Sequence, residues 1–273
     1  MADRSEKEAP TITETDLRRD LRALGLEAGD EVVVHSSLSA IGWTEGGPRT
    51  VVDALLAVVD ETGTILAPTF TASHAKSHPF DPEKTPSQTG AVTEALRTHP
   101  DAHRSTHPTH SVAALGAAAE ELTAEHPLDA SLGPDSPLDR LARRGGRVLL
   151  LGVGHESNST LHVAEKRAGL PWKDRVNEVL VRERGPENKP VRTVETAKVG
   201  CGKGFVSFEP VAEQTGILVR GQVGAADAQL VDGADVLSLA LELLEHDPGF
   251  LLCEDPDCWW CPDARRRLAD GTN

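Results

Sequence analysis

The spacing of apolar residues divides the chain into short strands and amphipathic helices. Three apolar runs, at residues 31–35, 64–68 and 148–151, are too short for helices and are continuous enough for strands buried on both faces. Helical spacing occurs over residues 16–24, 49–59, 90–97, 117–126, 205–215 and 236–246. Because the two kinds of element alternate, we predict a single α/β domain with a mixed, largely parallel central sheet flanked by helices.

The segments between and beyond these elements are interpreted from their composition. Residues 1–13 are polar and acidic, which predicts a disordered tail before a domain spanning residues 14–250. Residues 69–88 contain several prolines and form a long connection, so we expect a lid over the functional site. Residues 178–182 and 191–198 have strand character and are expected to pair as a hairpin.

The most informative stretch runs from residue 147 to residue 165. Its buried strand ends at a Gly-Val-Gly turn, after which Ser157 or Asn158 is suited to cap a helix. This helix carries His162 and Glu165, which lie three residues apart and therefore share one face. An imidazole beside a carboxylate at the end of a strand is a candidate general base, and an ordinary surface pair is the alternative.

Two other stretches place small hydroxyl side chains at the ends of strands. Residues 35–38, with the sequence His-Ser-Ser-Leu, follow the first buried strand, and His110 and Ser111 precede a run of small apolar residues. Backbone N–H groups at such strand ends are suited to binding a phosphate or an oxyanion. We therefore expect two anion-binding pockets beside the candidate base.

Charge and composition narrow the classes of partner. The chain has 43 acidic and 28 basic residues, a net charge of −15, and no tyrosine, which argues against a nucleic-acid surface. The acidic surplus favours a cationic ligand, although it also serves solubility. No apolar run reaches the length of about 18 residues that a membrane span needs, and the first residues lack an apolar signal segment. These features predict a cytoplasmic protein.

Residues 251–273 contain three cysteines and are expected to pack as a tail on the domain. Cys253, Cys258 and Cys261 form a C-x₄-C-x₂-C pattern, which is typical of part of a structural zinc site. The fourth ligand would be Cys201 or His246, and three buried free thiols are the alternative. Four histidines between residues 99 and 110 do not indicate zinc, because two prolines prevent one helix from presenting them together.

The motifs of several common enzyme classes are absent from the sequence. The nucleophile elbow G-x-S-x-G, the P-loop G-x-x-x-x-G-K-[ST] and a G-x-G-x-x-G turn after a strand do not occur. A base, a carboxylate partner and two anion pockets remain. This combination indicates acyl transfer without an enzyme nucleophile.

Four ordered motifs resemble the antibiotic N-acetyltransferase family, which contains the aminoglycoside 3-N-acetyltransferases. They are HSSLSAIGW at residues 35–43, RSTHPTHSVAALG at 104–116, GPDSPLDRL at 133–141 and LLLGVGHESNSTLHVAE at 149–165. The resemblance implies an acetyltransferase domain over residues 14–250. It also implies acetyl-CoA-dependent acetylation of the 3-amino group of a 2-deoxystreptamine ring by direct transfer, and some relatives acetylate other amines.

The resemblance also assigns roles to residues of this chain. It implies that His162 is the general base and that Glu165 is its partner. The residues implied in coenzyme binding are His35, Ser36, Ser37, Leu38, His110 and Ser111. The expected partners are coenzyme A, a cationic small-molecule amine and, in a homodimer, a second copy of the chain.

Two other functions are left open by the sequence. One is a catalytically weak relative that binds coenzyme A or a polyamine without turnover. The other is a metal-dependent amidohydrolase that uses the histidine-rich segment.

Overall fold

A computed structural model describes residues 11–71, 78–182 and 190–271. Its strands are β1 (Glu31–Ser36), β2 (Thr64–Pro68), β3 (His103–Arg104), β4 (Val112–Gly116), β5 (Arg147–Leu151), β6 (Val176–Arg182), β7 (Val191–Ala197), β8 (Val219–Val223) and β9 (Ala226–Asp232). Its helices are α1 (Glu14–Leu24), α2 (Leu38–Ile41), α3 (Pro48–Val59), α4 (Ala91–Arg97), α5 (Ala119–Thr123), α6 (Pro137–Arg143), α7 (Thr160–Arg167), α8 (Phe208–Gln214), α9 (Gly233–His246) and α10 (Cys261–Gly271). Within this described part, no helix is long and apolar enough to cross a membrane.

The central sheet has seven strands in the order β3-β4-β2-β1-β5-β9-β8, which confirms the predicted α/β class and the mixed sheet. Only the central trio is parallel, since β1 pairs in parallel with β2 and β5. The outer pairings are antiparallel. The sheet is therefore less parallel than we expected, since four of its six pairings are antiparallel. One of the four is the hairpin of β8 and β9, which has a two-residue turn at Gly224 (φ 60°) and Ala225.

Alternate residues of the central strands enter two hydrophobic cores, one on each face of the sheet. Val33, Leu66 and Leu150 belong to the core that includes α6, α7 and α9. Val34 and Leu151 belong to the core that includes α1 and α3. The continuous apolar runs in the sequence thus correspond to strands covered on both faces, as predicted.

Residues 12 and 13, which the sequence analysis assigned to the tail, are bonded to the domain. The backbone N–H of Ile12 donates to Trp43 O at 2.8 Å, and Thr13 forms a capping box with Asp16 at the start of α1. The helix predicted over residues 16–24 therefore begins two residues earlier, because the reciprocal hydrogen bonds of Thr13 and Asp16 satisfy its start. Residues 1–10 lie outside the described residues.

The long connection over residues 69–88 is anchored where the structure describes it. Phe80 pairs with β6, and the buried guanidinium of Arg104 donates to the carbonyl oxygens of Thr69 at 3.0 Å and Thr85 at 2.6 Å. Burial lowers the pKa of Arg104 to about 9. These contacts hold the segment against β6 and β3, while its middle part, residues 72–77, lies outside the described residues.

The predicted hairpin is confirmed as β6 and β7.

Candidate active site

A cleft of about 330 Å³ opens where the parallel strands β1, β2 and β5 end. Ser36 and Pro68 are the last residues of β1 and β2, and both line this central cleft. His35, His110 and His162 line it as well. The sheet thus brings together segments that are far apart in sequence, since the carboxyl ends of parallel strands meet at one edge.

Helix α7 delivers the predicted base to the cleft. The N-cap of this helix is Ser159 and not Ser157 or Asn158 as predicted, although Asn158 Oδ1, one residue earlier, accepts the backbone N–H of Thr160 at 3.1 Å. One turn later, His162 Nδ1 lies 2.6 Å from Glu165 Oε2. The imidazole packs against the edge of the Phe205 ring, with the ring centroids 4.5 Å apart. Nδ1 is occupied by the carboxylate, so Nε2 is the ring nitrogen that can accept a proton.

Lys173 is a third member of this group, and the sequence did not reveal it. Its Nζ lies 2.6 Å from Glu165 Oε2 and donates to Val199 O at 2.5 Å. The lysine is only 4 % exposed and Glu165 only 1 %. Lys173 follows the end of the helix and fits no helical or strand spacing, so only the fold shows that it meets the dyad.

The three buried groups shift one another's pKa in opposite senses. Burial raises the pKa of Glu165, but the charge of Lys173 and the hydrogen bond from His162 outweigh burial and leave it below its usual value. Burial lowers the pKa of His162, the lysine charge lowers it further, and Glu165 opposes both. The carboxylate is therefore ionised and the imidazole is neutral at neutral pH.

Two other histidines also line the cleft. Burial, with a smaller effect of His155, lowers the pKa of His35 to about 3. Burial, with His162 as the next cause, likewise lowers the pKa of His110 to about 3, and its Nδ1 lies 2.8 Å from Thr109 Oγ1. Both rings are neutral. Within the described residues, His35 Nε2 and the neighbouring Ser36 Oγ are buried without a hydrogen-bond partner.

The remaining residues implied in coenzyme binding lie elsewhere. The Ser37 backbone N–H donates to Leu151 O at 2.9 Å, and Leu38 lies beside Trp43 in a separate outer depression. Ser111 is fully buried behind the cleft, where its hydroxyl donates to Thr69 O at 2.9 Å. The structure therefore brings His35, Ser36 and His110 to the cleft and leaves Ser37, Leu38 and Ser111 out of its lining.

The histidine-rich segment supports the site instead of holding a metal. His107 Nδ1 accepts the backbone N–H of His110 at 3.0 Å, and its Nε2 lies 3.0 Å from Ser131 Oγ. His126 uses both ring nitrogens too, at Ser105 Oγ (2.9 Å) and Ser131 O (2.6 Å). Because these nitrogens are already engaged, they are unavailable as metal ligands, and the network fixes the loop that carries His110.

Four buried cysteines form a separate cluster. The Sγ atoms of Cys201, Cys253, Cys258 and Cys261 all lie within 4.8 Å of one another, and no disulfide joins them. Burial raises the pKa of Cys258, but backbone N–H groups from Cys261 and Trp260 outweigh it and leave that pKa at about 7. His246, the other fourth ligand considered, is exposed and bonds to its own helix through Glu242 O.

Acidic side chains lie at the rim of the cleft and in an adjoining depression. Glu156 is exposed at its rim and also lines an adjoining depression that contains Glu209 and Asp227. Arg220 neutralises Glu209 through an ion pair at 2.8 Å. Glu156 and Asp227 remain as carboxylates that can attract a cation.

The site thus combines a neutral imidazole with a buried carboxylate and a buried lysine at the edge of a mixed α/β sheet, an arrangement that can abstract a proton. The model of the aminoglycoside 3-N-acetyltransferase family matches residues 33–245, and the chain belongs to that family. It is thus an acyltransferase, as the four motifs implied.

Individual relatives agree with this assignment. Aminoglycoside N(3)-acetyltransferase VII of Streptomyces paromomycinus is 40 % identical over 87 % of this chain and 93 % of its own length. The structure of aminoglycoside acetyltransferase AAC(3)-IVa in complex with gentamicin superposes with a TM-score of 0.85 at 29 % identity, covering 96 % of this chain and 100 % of that one. AAC-IIIb in its binary complex with CoASH gives a TM-score of 0.79 at 34 % identity, covering 87 % and 97 %.

Proposed function

We propose that this enzyme transfers the acetyl group of acetyl-CoA directly to the 3-amino group of a 2-deoxystreptamine aminoglycoside, with His162 as general base. The observation that carries the base assignment is the buried series of contacts from His162 through Glu165 to Lys173, in which His162 lines the central cleft. The coenzyme and the aminoglycoside are suggested by the named complexes of two structural relatives.

The neutral state of His162 suits the first proton transfer. An amine of an aminoglycoside is largely protonated at neutral pH and cannot attack a thioester until it loses a proton. In the proposed step, His162 Nε2 takes this proton while the amine nitrogen bonds to the carbonyl carbon. Glu165 stabilises the imidazolium that forms. The C–S bond then breaks, the imidazolium gives its proton to the leaving thiolate of coenzyme A, and the second proton that the amide nitrogen loses passes to solvent.

Direct transfer is favoured over an acyl-enzyme intermediate by the position of the cysteines. None of the four thiols is in the lining of the cleft, and the nearest part of the cluster lies behind the glycines at 200 and 202. The described lining does contain serines, but within the described residues no serine hydroxyl is hydrogen-bonded to the His162 ring, whose side-chain partner is Glu165. A base that faces the cleft can therefore act on the substrate amine itself.

Different residues of the cleft lining suit the coenzyme and the amine substrate. Ser36 Oγ and His35 Nε2 are buried polar atoms without partners in the described residues, and a polar part of the coenzyme would satisfy them. His110 lies on the same lining. On the acidic rim, Glu156 is positioned to attract a polycationic sugar. We propose His35, Ser36 and His110 as the coenzyme contacts and Glu156 as an amine contact.

Release of free thiol from acetyl-CoA, measured with a panel of aminoglycosides, tests this function. We expect turnover in wild type, an N-acetylated product at the 3-position by NMR, and a loss of about 100-fold to 10,000-fold in kcat for His162→Ala. Acetyl-CoA should still bind to that variant. Binding without turnover in wild type would instead identify a catalytically weak relative that holds coenzyme A or a polyamine. Full activity of His162→Ala would remove the base from the mechanism.

Two further parts of this proposal concern the cellular location and the oligomeric state of the enzyme. Acetyl-CoA is a metabolite of the cytoplasm, so we expect the enzyme to work there. The homodimer stays a prediction, which light scattering on the purified protein would check.

We also propose a structural zinc ion in the C-terminal segment, bound through Cys253, Cys258 and Cys261. The convergence of these thiols in a buried position supports it. Elemental analysis of protein purified without added metal is the direct test.

A further inference from the structure

The cysteine cluster joins the C-terminal segment to one wall of the central cleft. Residues 199–202 form this cleft wall, since Val199, Gly200 and Gly202 line the cleft and Cys201 points behind it into the cluster. Cys253, Cys258 and Cys261 reach the cluster from more than 50 positions further along the chain. The four sulfurs are therefore the point at which two distant segments meet.

We propose that the four cysteines form a complete zinc site, with Cys201 as the fourth ligand, and that the metal fixes the cleft wall on which the catalytic dyad depends. This inference rests on the proposed acetyl transfer for its effect on activity, but not for the metal site itself. It gives the structural zinc a second function, because the ion fixes the cleft wall, which contacts the residues that support His162.

The separation of the sulfurs matches a metal site better than disulfides. A tetrahedral zinc ion with bonds of about 2.3 Å to sulfur separates its ligand atoms by about 3.8 Å. Cys201 Sγ and Cys253 Sγ lie 4.0 Å apart, and all four sulfurs lie within 4.8 Å. A disulfide would need a separation of about 2.0 Å and would use the thiols in pairs.

Backbone groups around the cluster are arranged to receive negative sulfur. The N–H of Lys203 points at Cys201 Sγ at 3.3 Å, and the N–H of Cys253 points at Cys261 Sγ at 3.4 Å. Cys261 also begins α10, where the positive end of the helix dipole favours a thiolate. These donors distribute the charge of four thiolates, which a single divalent cation leaves at −2.

The cleft wall is closely packed on both sides. A β-carbon at Gly200 (φ 116°) would lie 2.8 Å from the Trp260 indole, and one at Gly202 would lie 2.6 Å from Glu156 O. The Trp260 ring is in turn covered by the guanidinium of Arg175, 4.5 Å from its centroid. The wall is thus held between the C-terminal segment and the rim of the cleft, and its position depends on where the cysteine cluster holds Cys201.

A short series of contacts connects this wall to the base. Val199, two residues before Cys201, accepts a hydrogen bond from Lys173 Nζ at 2.5 Å. The same ammonium lies 2.6 Å from Glu165, and Glu165 lies 2.6 Å from His162. Displacement of the wall would withdraw one of the two oxygens that hold Lys173 and would so shift the lysine charge relative to the dyad.

The metal half of the proposal is tested by metal content and by cobalt spectroscopy. Wild type purified without chelator is expected to contain about one zinc per chain. Replacement by Co²⁺ should give the absorption of a tetrahedral four-thiolate site. Cys201→Ser should lose the metal or show a three-thiolate spectrum. Trp259→Ala, a change at a 69 % exposed neighbour of the cluster, is the matched control and should keep both signals.

The coupling half is tested by kinetics below the melting temperature of each variant. Cys201→Ser and Cys258→Ser should lower kcat by about tenfold or more through misplacement of the base, whereas Trp259→Ala should not. The acidic limb of their pH profile should move to higher pH as Lys173 withdraws. If the serine variants do not fold, removal of zinc from wild type by a chelator, followed by restoration with Zn²⁺, gives the same comparison.

Particular results would overturn each half. Metal-free wild type that takes up neither Zn²⁺ nor Co²⁺, or a Cys201→Ser variant with an unchanged cobalt spectrum, would contradict the ligand set. Metal loss with an unaltered kcat and pH profile would contradict the coupling. Because zinc content is measured independently of acetyl transfer, a lack of acetyltransferase activity would not change the outcome of the metal test.

Discussion

Lys173 Nζ and Glu165 Oε2 lie 2.6 Å apart in an interior where both side chains are almost fully buried. The same carboxylate oxygen lies 2.6 Å from His162 Nδ1. Glu165 therefore holds a positive charge and an imidazole at once. The lysine keeps the carboxylate ionised, and the carboxylate orients the ring and stabilises its charged form. In the proposed mechanism the base is thus a group of three residues, in which Lys173 acts by positioning.

Lys173→Met should lower kcat and shift its pH dependence. Without the lysine charge, the pKa of His162 is expected to rise, so the acidic limb of the kcat profile should move to higher pH. The variant should also be destabilised by about 3–5 kcal/mol, since Glu165 would be left as an unpaired buried charge. Lys173→Arg should restore part of the original profile. A variant that melts early but has an unchanged pH profile would limit Lys173 to a structural role.

The pH dependence of the wild-type enzyme should reflect a depressed histidine pKa. His162 works as a base only when it is neutral, so activity is present above its pKa and is lost as the pH falls through it. Burial and Lys173 lower this pKa from 6.5, and the loss should therefore occur below pH 6.5. The measurement is kcat at saturating amine and acetyl-CoA from pH 5 to 8, with protein stability checked at each value. An acidic limb centred above pH 6.5 would contradict this assignment.

Ser36→Leu and Ser111→Leu should have different effects, although each serine lies at the end of a strand, Ser36 as the last residue of β1 and Ser111 directly before β4. At Ser36 the added side chain would enter the cleft, so we expect weaker binding of coenzyme A by calorimetry and an unchanged melting temperature. At Ser111 it would displace the hydrogen bonds to Thr69 and Arg104, so the main effect should be loss of stability. Equal affinity of Ser36→Leu and wild type would move the coenzyme away from β1.

Glu156→Gln should raise KM for the aminoglycoside and leave the affinity for coenzyme A unchanged. Its carboxylate lies at the rim of the cleft and would attract the cationic sugar, an effect that should weaken at high salt. Glu120→Gln removes the same charge from an exposed position on α5 and is the matched control. A similar rise in KM for both variants would attribute the effect to net charge alone.

The parts of the fold that sequence predicts well are those with strong local patterns. β1, β2 and β5 are continuous apolar runs, and His162 and Glu165 share a face because α7 begins where the Gly-Val-Gly turn ends. The distribution of apolar residues did not predict β9 as clearly as it predicted β1, β2 and β5. Its sequence, ADAQLVD, is short in large apolar side chains, yet the strand is buried between β5 and β8. Its position is decided by pairing with both neighbours.

Residues that meet only through the tertiary fold were predictable to a lesser degree. Lys173 carries no motif, and its contact with Glu165 depends on the turn after α7 and on the carbonyl of Val199. Cys201 was one of two candidates for a fourth ligand, and 52 residues separate it from Cys253. Ser36 and Ser111 looked equivalent in sequence, but the direction of each side chain is set by the pairing of its strand.

The packing of the cleft wall against the C-terminal segment also has a consequence for biosynthesis. A ribosome makes the chain from its amino end, so residues 253–261 emerge after the strands and helices that form the rest of the cleft. A nascent chain can therefore fold the sheet and bring His162 to Glu165 while the wall over Cys201 still lacks its support. Under the coupling proposed above, the cleft wall therefore reaches its final position only after residues 253–261 have been synthesised.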